Sequence, residues 1–494
     1  MWGDRRRAWI CFTIATVVIG WSVFAFGTPQ DIVERPDVII TQDDVIFPDI
    51  KVTPVRTIAA WATGVGAIVC LILLPGRGRF PRVPWTLAIA ACVLLLLGWF
   101  MVANAWADHN LEDYQFTPLD PLLEWAPGSI ARSSSLKAMV ELSFVLLALL
   151  AAVRISEGSG WRSLFALLAI LGAAVALVGM FHKAAGAPTV YWMNDESQPG
   201  QTFFAPFVYN ANAGAFMNMC MPIAMGLSLA SVGDDRKRSV GICWALVAAL
   251  TAAGVVVAAS KGAIIVLVFT VPVFLLWNRG RLQRIIRNAF VQRGRRIERL
   301  VLLGSFALLL FSLVAIGITF VVFRWNEFFG RFYDTAETDI TGRLRIMELM
   351  AEMAGRDEGS WHGFGPGSFR HLVAHFTVGK GDELDGQWLF GHCDPLQTAV
   401  EWGWAGAAAW LVIGAGAVVS GLLLLRRKHL LEREDVPLVR GAVLALAMVG
   451  LHSCQDFPLS IYALHLTAML LCGVCWGLYA NRRRAWDHRQ KSRS

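Results

Sequence analysis

The chain has 494 residues, of which 56% are hydrophobic and only 16% are charged, and its mean hydropathy is +0.52. Soluble domains carry about 25% charged residues, and no water-soluble fold buries this much apolar side chain in one core. The composition therefore excludes a soluble protein and a disordered one. Because each membrane-spanning helix uses about 20 residues, twelve spans leave room for one sizeable polar segment.

Twelve long apolar runs with few charges follow one another along the chain, and such runs predict membrane-spanning helices. They lie at residues 8–27, 57–74, 85–105, 136–153, 163–181, 211–231, 240–259, 262–278, 301–323, 398–424, 438–455 and 459–480. The first run is longer than the apolar part of a signal peptide, so we interpret it as an uncleaved helix. The predicted fold class is an all-α polytopic membrane protein with about 12 transmembrane helices.

Basic residues are unevenly divided between the loops on the two sides of these runs. The side that holds both termini has 29 of the 44 lysine and arginine residues, whereas the other side has 28 of the 37 acidic residues. This bias predicts that both termini are cytoplasmic and that the basic loops face anionic lipid head groups. We therefore interpret the basic run 279–299 as a topology determinant, and we predict no binding of nucleic acid.

The predicted spans divide the chain into four parts. Residues 1–200 hold helices 1–5 with acidic outer loops, and residues 201–323 hold helices 6–9. Residues 324–397 form the largest outer loop, and residues 398–494 hold helices 10–12 with a basic tail. We expect the large loop between helices 9 and 10 to be partly helical, because residues of good helix propensity run up to Met353.

Lys261 is the single charged residue among the forty residues between Arg238 and Arg279. Forty residues suit two spans, with Ser260-Lys261-Gly262 at the outer turn between them. A lone ammonium group at this place must reach water, lipid head groups or an anionic partner. The alternative is a lysine that only extends to the membrane interface.

Two arginines lie early in the large loop, within Thr341-Gly342-Arg343-Leu344-Arg345. A planar guanidinium group can bind two phosphate oxygens at once, so both arginines are candidate anion ligands. Because they project in different directions on a helix, we expect only one of them to face a given ligand. Ion pairing with Glu348 or Glu352 is the alternative.

His392 lies in the segment that leads from the large loop into the tenth predicted helix. An imidazole in such a place can accept a proton near neutral pH, and Asp394 or Glu401 could orient it. Capping or packing is the commoner role of a single histidine at a helix start. His371 and His375 have the i, i+4 spacing of a helical metal pair, but no glutamate or cysteine pair accompanies them, and we predict no metal site.

Several segments, taken in chain order, resemble the O-antigen ligases and O-antigen polymerases, a superfamily of bacterial membrane glycosyltransferases. The matching segments are Tyr209 to Gly214, Ser260 to Gly262, Thr341 to Arg343, Gly363 to Phe369, His392 to Gly406 and, more weakly, His452 to Leu459. Their order, spacing and predicted outer position carry the resemblance. The chain departs from the family's usual pattern at Lys261, where arginine is usual, and at Cys393, where asparagine is usual.

The resemblance implies transfer of a glycan from a polyprenyl diphosphate carrier, as in lipopolysaccharide or exopolysaccharide synthesis. The acceptor would be the hydroxyl or amide of a glycan, of lipid A core or of a protein. The reaction would take place on the periplasmic face of the bacterial cytoplasmic membrane, among membrane lipids, without metal or other cofactor. Ligase and polymerase differ in acceptor, and the sequence does not separate them.

The resemblance also implies roles for individual residues. Lys261 and Arg343 would be catalytic, because cations can hold the diphosphate and stabilise the charge that grows on it. His392 would be the catalytic base that takes the proton of the acceptor. The residues predicted to bind substrate are Arg345, Asn212, Asp394, Glu401 and Trp361.

A lipid-linked oligosaccharide flippase, or another secondary transporter, is the main alternative, since twelve spans with both ends inside are a common transporter layout. Transporters place ionisable residues at mid-membrane depth. Here the apolar runs are nearly free of charge, with Glu141 among the few acids, which favours chemistry at the outer face. The related peptidoglycan polymerases of cell shape and division are a third alternative, but their largest outer loop is expected nearer the middle of the chain.

Overall fold

The structure is a computed structural model. It describes residues 2–26, 39–40, 45–46, 55–74, 83–110, 115–188, 190–192, 203–232, 238–291, 336–355, 360–377 and 388–492. The ninth predicted span, residues 301–323, lies outside these residues.

The described part of the chain contains fourteen α-helices and two short antiparallel hairpins. The helices are α1 (Trp2–Phe26), α2 (Val55–Leu73), α3 (Trp85–Ala103), α4 (Arg132–Ile155), α5 (Gly160–Ala184), α6 (Asn210–Val232), α7 (Arg238–Ala258), α8 (Lys261–Trp277), α9 (Arg279–Val291), α10 (Ala336–Ala354), α11 (Phe369–Thr377), α12 (Asp394–Arg426), α13 (Asp435–His452) and α14 (Tyr462–Lys491). The hairpins pair β1 (Ile39–Ile40) with β2 (Val45–Ile46) and β3 (Ala107–Asn110) with β4 (Gln115–Pro118).

Within the described ranges, nine helices are long and apolar enough to span a membrane, namely α2 to α7 and α12 to α14. Helices α8 and α9 meet at a bend of 67° and together form a tenth candidate, and α1 contains the shorter apolar stretch Ile10–Phe24. Each predicted apolar run other than 301–323 coincides with a helix. The prediction of a helical, multi-pass membrane protein is therefore confirmed, whereas the count of twelve spans and the orientation stay predictions.

Helix α6 lies at the centre of the bundle, is buried along most of its length and packs against α5, α7 and α13. Two glycines allow α6 and α13 to approach closely. A Cβ added at Gly226 would lie 2.8 Å from the carbonyl oxygen of Pro437, and one added at Gly441 would clash with the carbonyl of Pro222. Without a hydrophobic driving force between helices in lipid, such small residues permit the close packing that holds the spans together.

The segments that connect the helices gather at two opposite ends of the bundle. At one end, the amide of Ile130 donates to the carbonyl of Phe364 (3.2 Å), and the amide of Asp394 donates to the carbonyl of Ser453 (2.9 Å). We call this the site end; it contains the β3–β4 hairpin, α10, α11 and the turns before α6, α8 and α14. By the charge bias above, it is the end predicted to face outward.

The opposite end, which we call the basic end, is held by arginines. Arg162 donates to Asp435 (2.8 Å from Nε) and to Glu432 (2.7 Å from Nη2). Arg440 donates to the carbonyl of Trp277 (2.7 Å). These contacts join α5, α8 and α13, so the basic end is a packed structure as well as a carrier of positive charge.

Candidate functional site

His392 lies just before α12 and faces a carboxylate that the sequence analysis did not assign. Its Nδ1 is 3.3 Å from Oδ1 of Asp456, in the turn between α13 and α14. The imidazole is 19% exposed, whereas Asp456 is 5% exposed. A base that is reachable from solvent and lies beside a buried carboxylate is suited to general-base chemistry, although no hydrogen bond joins the two groups in this geometry.

The backbone of His392 is itself unusual, with a φ of 51°. Left-handed backbone is uncommon outside glycine, although asparagine, aspartate and histidine adopt it more often than other residues. Tyr191, Trp192 and Ala259 have a similar φ. The choice of His392 as the central residue of the site therefore rests on its contacts.

Asp394, the first residue of α12, fastens the Asp456 turn to that helix. Its Oδ1 accepts a hydrogen bond from the hydroxyl of Ser460 (2.7 Å), and its Oδ2 accepts one from the amide of Leu459 (2.8 Å). With the bond from its own amide to Ser453, Asp394 holds both ends of the turn. These contacts position Asp456 beside His392; the predicted contact of Asp394 with substrate stays a prediction.

Arg343 reaches the same turn through a stack of aromatic rings, which we call the aromatic stack: Tyr209, Phe457 and Phe390. Nη2 of Arg343 donates to the hydroxyl of Tyr209 (3.2 Å). Phe457 lies between the other two rings, with centroids 5.5 Å from Tyr209 and 4.2 Å from Phe390, and both pairs are nearly parallel. His392 meets Phe457 edge-on at 4.9 Å. Arg343 therefore contacts an end ring of the stack, and His392 contacts its middle ring.

Arg345 lies on the same helix, α10, as Arg343 but in a different setting. Arg345 is exposed, whereas Arg343 is half-buried against Tyr209. The geometry thus separates the two arginines, as their spacing on a helix predicts. Whether Arg345 contacts a substrate stays a prediction.

Lys261 opens α8, and its neighbour Gly262 contacts the last residue of α13. Ser260 caps the helix, because its hydroxyl oxygen accepts the amide of Ala263 (3.4 Å). A Cβ added at Gly262 would lie 3.3 Å from Nε2 of His452. The α8 N-terminus therefore packs beside the Asp456 turn, which places the Lys261 backbone next to the elements that hold His392.

Asparagines of α6 connect this helix to its neighbours. Asn210 donates to the carbonyl of Ala258 (2.8 Å), and Asn218 donates to the carbonyl of Ala263 (2.8 Å). Asn212 is 5% exposed, and within the described residues its Oδ1 has no hydrogen-bond partner. Its amide oxygen can therefore still accept a hydrogen bond. The predicted contact of Asn212 with substrate stays a prediction.

Glu401 anchors the glycine-rich segment that precedes α11. Its Oε2 accepts the amide of Gly367 (2.9 Å), and its Oε1 accepts the side-chain amide of Gln397 (3.1 Å). The segment is strongly turned, because its three glycines, at 363, 365 and 367, all have positive φ. Glu401 thus positions the segment through both of its oxygens, and its predicted contact with substrate stays a prediction.

Trp361 lies beside α3. It is 56% exposed and lines a shallow apolar cavity of about 700 Å³ with Trp99, Phe100 and Pro127 among others. Among the described tryptophans, Trp388 is the one whose ring contacts His392, at 5.8 Å. The predicted contact of Trp361 with substrate stays a prediction.

His371 forms a second, different pair at the site end. Its Nδ1 is 2.8 Å from Nδ1 of His109, and its Nε2 is 2.7 Å from the hydroxyl of Ser134. Because Arg370 donates to Nε2 (3.3 Å), the single proton of the neutral ring is on Nδ1 and is donated to His109. Burial, the Arg370 guanidinium and His109 together lower the pKa of His371 to about 3.

This pair joins three elements, since His109 is in β3, Ser134 in α4 and His371 in α11. Burial also lowers the pKa of His109. His375 is exposed, with its ring centroid 6.5 Å from that of His109. No group of three histidine, cysteine or acidic side chains suited to a metal ion occurs in the described ranges. The pair therefore serves to fasten α11 to the rest of the site end.

The residues of the site for which the sequence predicted no role include Tyr209, Phe390, His452, Asp456 and Phe457. All of these except Phe390 lie in the segments Tyr209 to Gly214 and His452 to Leu459, which carry part of the resemblance. The available signal was a short polar turn, with one histidine and one aspartate, between two apolar runs.

Comparisons with known proteins leave the family of the chain open. No protein-family model matches the chain, and no curated protein matches it. The resemblance to O-antigen ligases and polymerases stays a prediction, carried by its motifs.

Proposed function

We propose that the protein is a membrane glycosyltransferase that moves a glycan from a polyprenyl diphosphate carrier to an acceptor hydroxyl or amide. The observation that carries this proposal is the His392–Asp456 pair, bordered through separate contacts by Arg343 and by the α8 N-terminus at Lys261. Transfer from an anionic leaving group requires a base for the acceptor and cationic groups for the departing diphosphate.

In this proposal His392 accepts the proton of the acceptor group at Nε2. Asp456, at Nδ1, fixes the tautomer and stabilises the imidazolium ion that forms. The acceptor oxygen or nitrogen forms a bond to the anomeric carbon while the bond from that carbon to the diphosphate breaks. General-base assistance of this kind contributes about 10²–10⁴-fold in rate.

The diphosphate leaves with an added negative charge, which the cations would stabilise. Arg343 is positioned by Tyr209 and can present two parallel donors to phosphate oxygens. Lys261 supplies a point charge at the N-terminus of α8, where the helix dipole also favours an anion. The proposal assigns charge stabilisation to these side chains and to no cofactor.

The site end would face the periplasm and the basic end the cytoplasm. The support for this orientation is the excess of lysine and arginine on the side of the termini. The donor would approach from the outer leaflet of the cytoplasmic membrane, where its diphosphate lies at head-group level. The acceptor, whether glycan, lipid A core or protein, would approach from the periplasm.

Complementation of a deletion strain of the source bacterium tests the proposal. We expect His392→Ala, Arg343→Ala and Lys261→Ala to lose long-chain surface glycan on gels while each variant keeps its normal membrane level. Lys261→Arg should retain activity, because the charge remains. His375→Ala is the matched control, since this exposed histidine lies at the same end outside the proposed site.

Two outcomes would contradict the proposal. Unchanged glycan from all three alanine variants would remove the site. Accumulation of carrier-linked glycan on the cytoplasmic leaflet would favour a flippase instead.

A further inference from the structure

The loop between β4 and α4, residues 119–128, exposes large apolar side chains at the site end. Leu122 is 71% exposed, Leu123 is 40% exposed and Trp125 is 84% exposed. Apolar surface in water is unfavourable, and several such side chains together within one short segment mark a contact surface. We call this segment the Trp125 loop. The proposed function gives it no role.

The Trp125 loop is held in place by Asn104, the fully buried residue that follows α3. Its side-chain NH2 group donates to the carbonyls of Leu123 (3.0 Å), Ala126 (3.1 Å) and Pro127 (3.0 Å). Its Oδ1 accepts the amide of Leu123 (2.7 Å). One buried side chain thus clamps the loop through both of its polar atoms, so the exposed apolar side chains are presented by a hydrogen-bonded structure.

The backbone after the loop fixes its depth relative to α3, which is a candidate membrane span. A helix of 19 residues is about 28 Å long, close to the thickness of the hydrocarbon core, so its last turn lies near the boundary with the head groups. The amide of Ser129 donates to the carbonyl of Met101 (3.0 Å), in that last turn. The loop therefore folds back to the depth of the membrane interface.

The Trp125 loop also continues the lipid-facing side of α3. Only 33% of this span is buried within the protein, which leaves most of it to lipid. Its exposed large apolar side chains recur every three or four residues and include Trp85, Ile89, Val93, Leu96 and Phe100. The shallow apolar cavity of about 700 Å³ joins this side to the loop, because Leu96, Phe100 and Pro127 all line it.

We propose that the Trp125 loop is a membrane-contact element, held by Asn104, that inserts its exposed leucines and tryptophan among the phospholipids of the leaflet at the site end. Tryptophan is enriched at the head-group level, and leucine is suited to the boundary with the acyl chains. Phospholipid is the partner because the loop shares its depth and its apolar surface with a helix that faces lipid. The contact sets the height of the site end at the membrane surface, and it does not depend on the proposed function.

Depth-dependent fluorescence quenching tests this contact on the full-length protein in proteoliposomes of phosphatidylcholine. Leu122→Cys and Trp125→Cys each carry an environment-sensitive fluorophore, in a background where the exposed native cysteines 92, 243 and 454 are replaced by serine. We expect a nitroxide near the lipid head group to quench both labels several-fold more strongly than iodide in the water does.

Two further label positions calibrate the measurement. Leu96→Cys lies on the lipid-facing side of α3, about two turns before its end, so a nitroxide deep in the acyl chains should quench it best. His375→Cys is the control for exposure at the site end outside the loop, and iodide should quench it best. A label at His375 that behaves like those in the loop would overturn the special role of the Trp125 loop.

Asn104→Asp tests the clamp. A carboxylate cannot donate to the three carbonyls, so we expect quenching of the Leu122→Cys label by the head-group nitroxide to decrease toward that by iodide. Asn278→Asp is the matched control, because Asn278 is an equally buried asparagine that follows α8 at the basic end. Equal quenching in the two variants would overturn the role of Asn104.

Two other outcomes would overturn the proposal. Quenching of both loop labels by iodide alone would place the loop in water. Protection of both labels from every quencher would mean that protein covers the loop, and conversion of a dimer to a monomer by Leu122→Asp would identify a second copy as that cover. Each label gives a reading on its own, so a failure of one variant to fold leaves the other to decide.

Discussion

Two histidine pairs at the site end show how the partner of an imidazole decides what it can do. His392 faces the carboxylate of Asp456 and is 19% exposed. His371 faces a second imidazole, His109, and is 3% exposed. The first pair lies beside the aromatic stack, and the second joins β3, α4 and α11.

The difference follows from charge stabilisation. A carboxylate favours the protonated form of a neighbouring imidazole, whereas burial, a second imidazole and an arginine all disfavour it. Burial, Arg370 and His109 together lower the pKa of His371 to about 3. His371 is thus kept neutral and holds the structure together, whereas His392 is partly exposed and faces a carboxylate.

The largest effect is expected from a substitution that disrupts the His392–Asp456 pair. Asp456→Asn should lower the rate of glycan transfer by about 10³-fold, because the amide no longer stabilises the imidazolium and can select the wrong tautomer. His109→Gln, which removes the partner of the other pair, should keep the transfer rate within about threefold. The rates are measured on purified protein with a carrier-linked glycan. Similar losses in both variants would show that the two pairs do not differ in the way described.

A smaller effect, on stability, concerns the second pair in acid. The folded state keeps His371 neutral down to a pKa of about 3, whereas the unfolded state takes up a proton near pH 6.5. The contribution of this pair to the free energy of unfolding is therefore fully present above pH 6.5 and decreases as the pH falls toward 3. At pH 4.5 we expect the protonation of His371 in the unfolded state to lower the free energy of unfolding by on the order of 2–3 kcal/mol.

Thermal unfolding at pH 7.5 and pH 4.5 measures this loss. The double variant His109→Gln with His371→Gln has no titrating pair, so the drop in its unfolding temperature between the two pH values should be smaller than that of the unaltered protein. Equal drops in the two proteins would contradict the assignment of an acid-sensitive pair.

The smallest effect is expected from a substitution that tests the role of the aromatic stack. Tyr209→Phe removes the hydroxyl that accepts from Arg343 but keeps the ring against Phe457. We expect a loss of about fivefold in transfer rate, the value of one modest hydrogen bond that positions a cation. Tyr209→Ala should cost more, since it also removes the stacking. A phenylalanine variant with a full loss would instead give the hydroxyl a direct role in the reaction.

The choice of partner for His392 illustrates where prediction from the sequence stopped. Asp394 and Glu401 were the candidates to orient His392, because both lie close to it along the chain. The structure instead engages Asp394 with Ser460 and Leu459, and Glu401 with Gly367 and Gln397. Asp456, more than sixty residues away, supplies the carboxylate, and proximity in the chain carried no information about it.

The helices, in contrast, were predictable from local composition. Long runs of apolar residues must satisfy their backbone hydrogen bonds within the segment, so they form helices wherever they occur. Helices α2 to α7, α12 and α13 begin and end within a few residues of the predicted runs, whereas α14 continues to Lys491, past the end of the run 459–480. The helices α10 and α11 of the large loop depend on weaker helix propensities, and their packing could not be predicted from the sequence.

The amino-acid sequence by itself thus determined a helical, multi-pass membrane protein and the segments in which polar residues would gather. Both follow from the distribution of apolar and charged residues along the chain, which acts locally. Only the tertiary structure decided that Arg343 meets Tyr209, that Asp456 meets His392 and that Gly262 meets His452. Such contacts depend on how helices pack in three dimensions, and that packing is set by many small steric fits between distant parts of the chain.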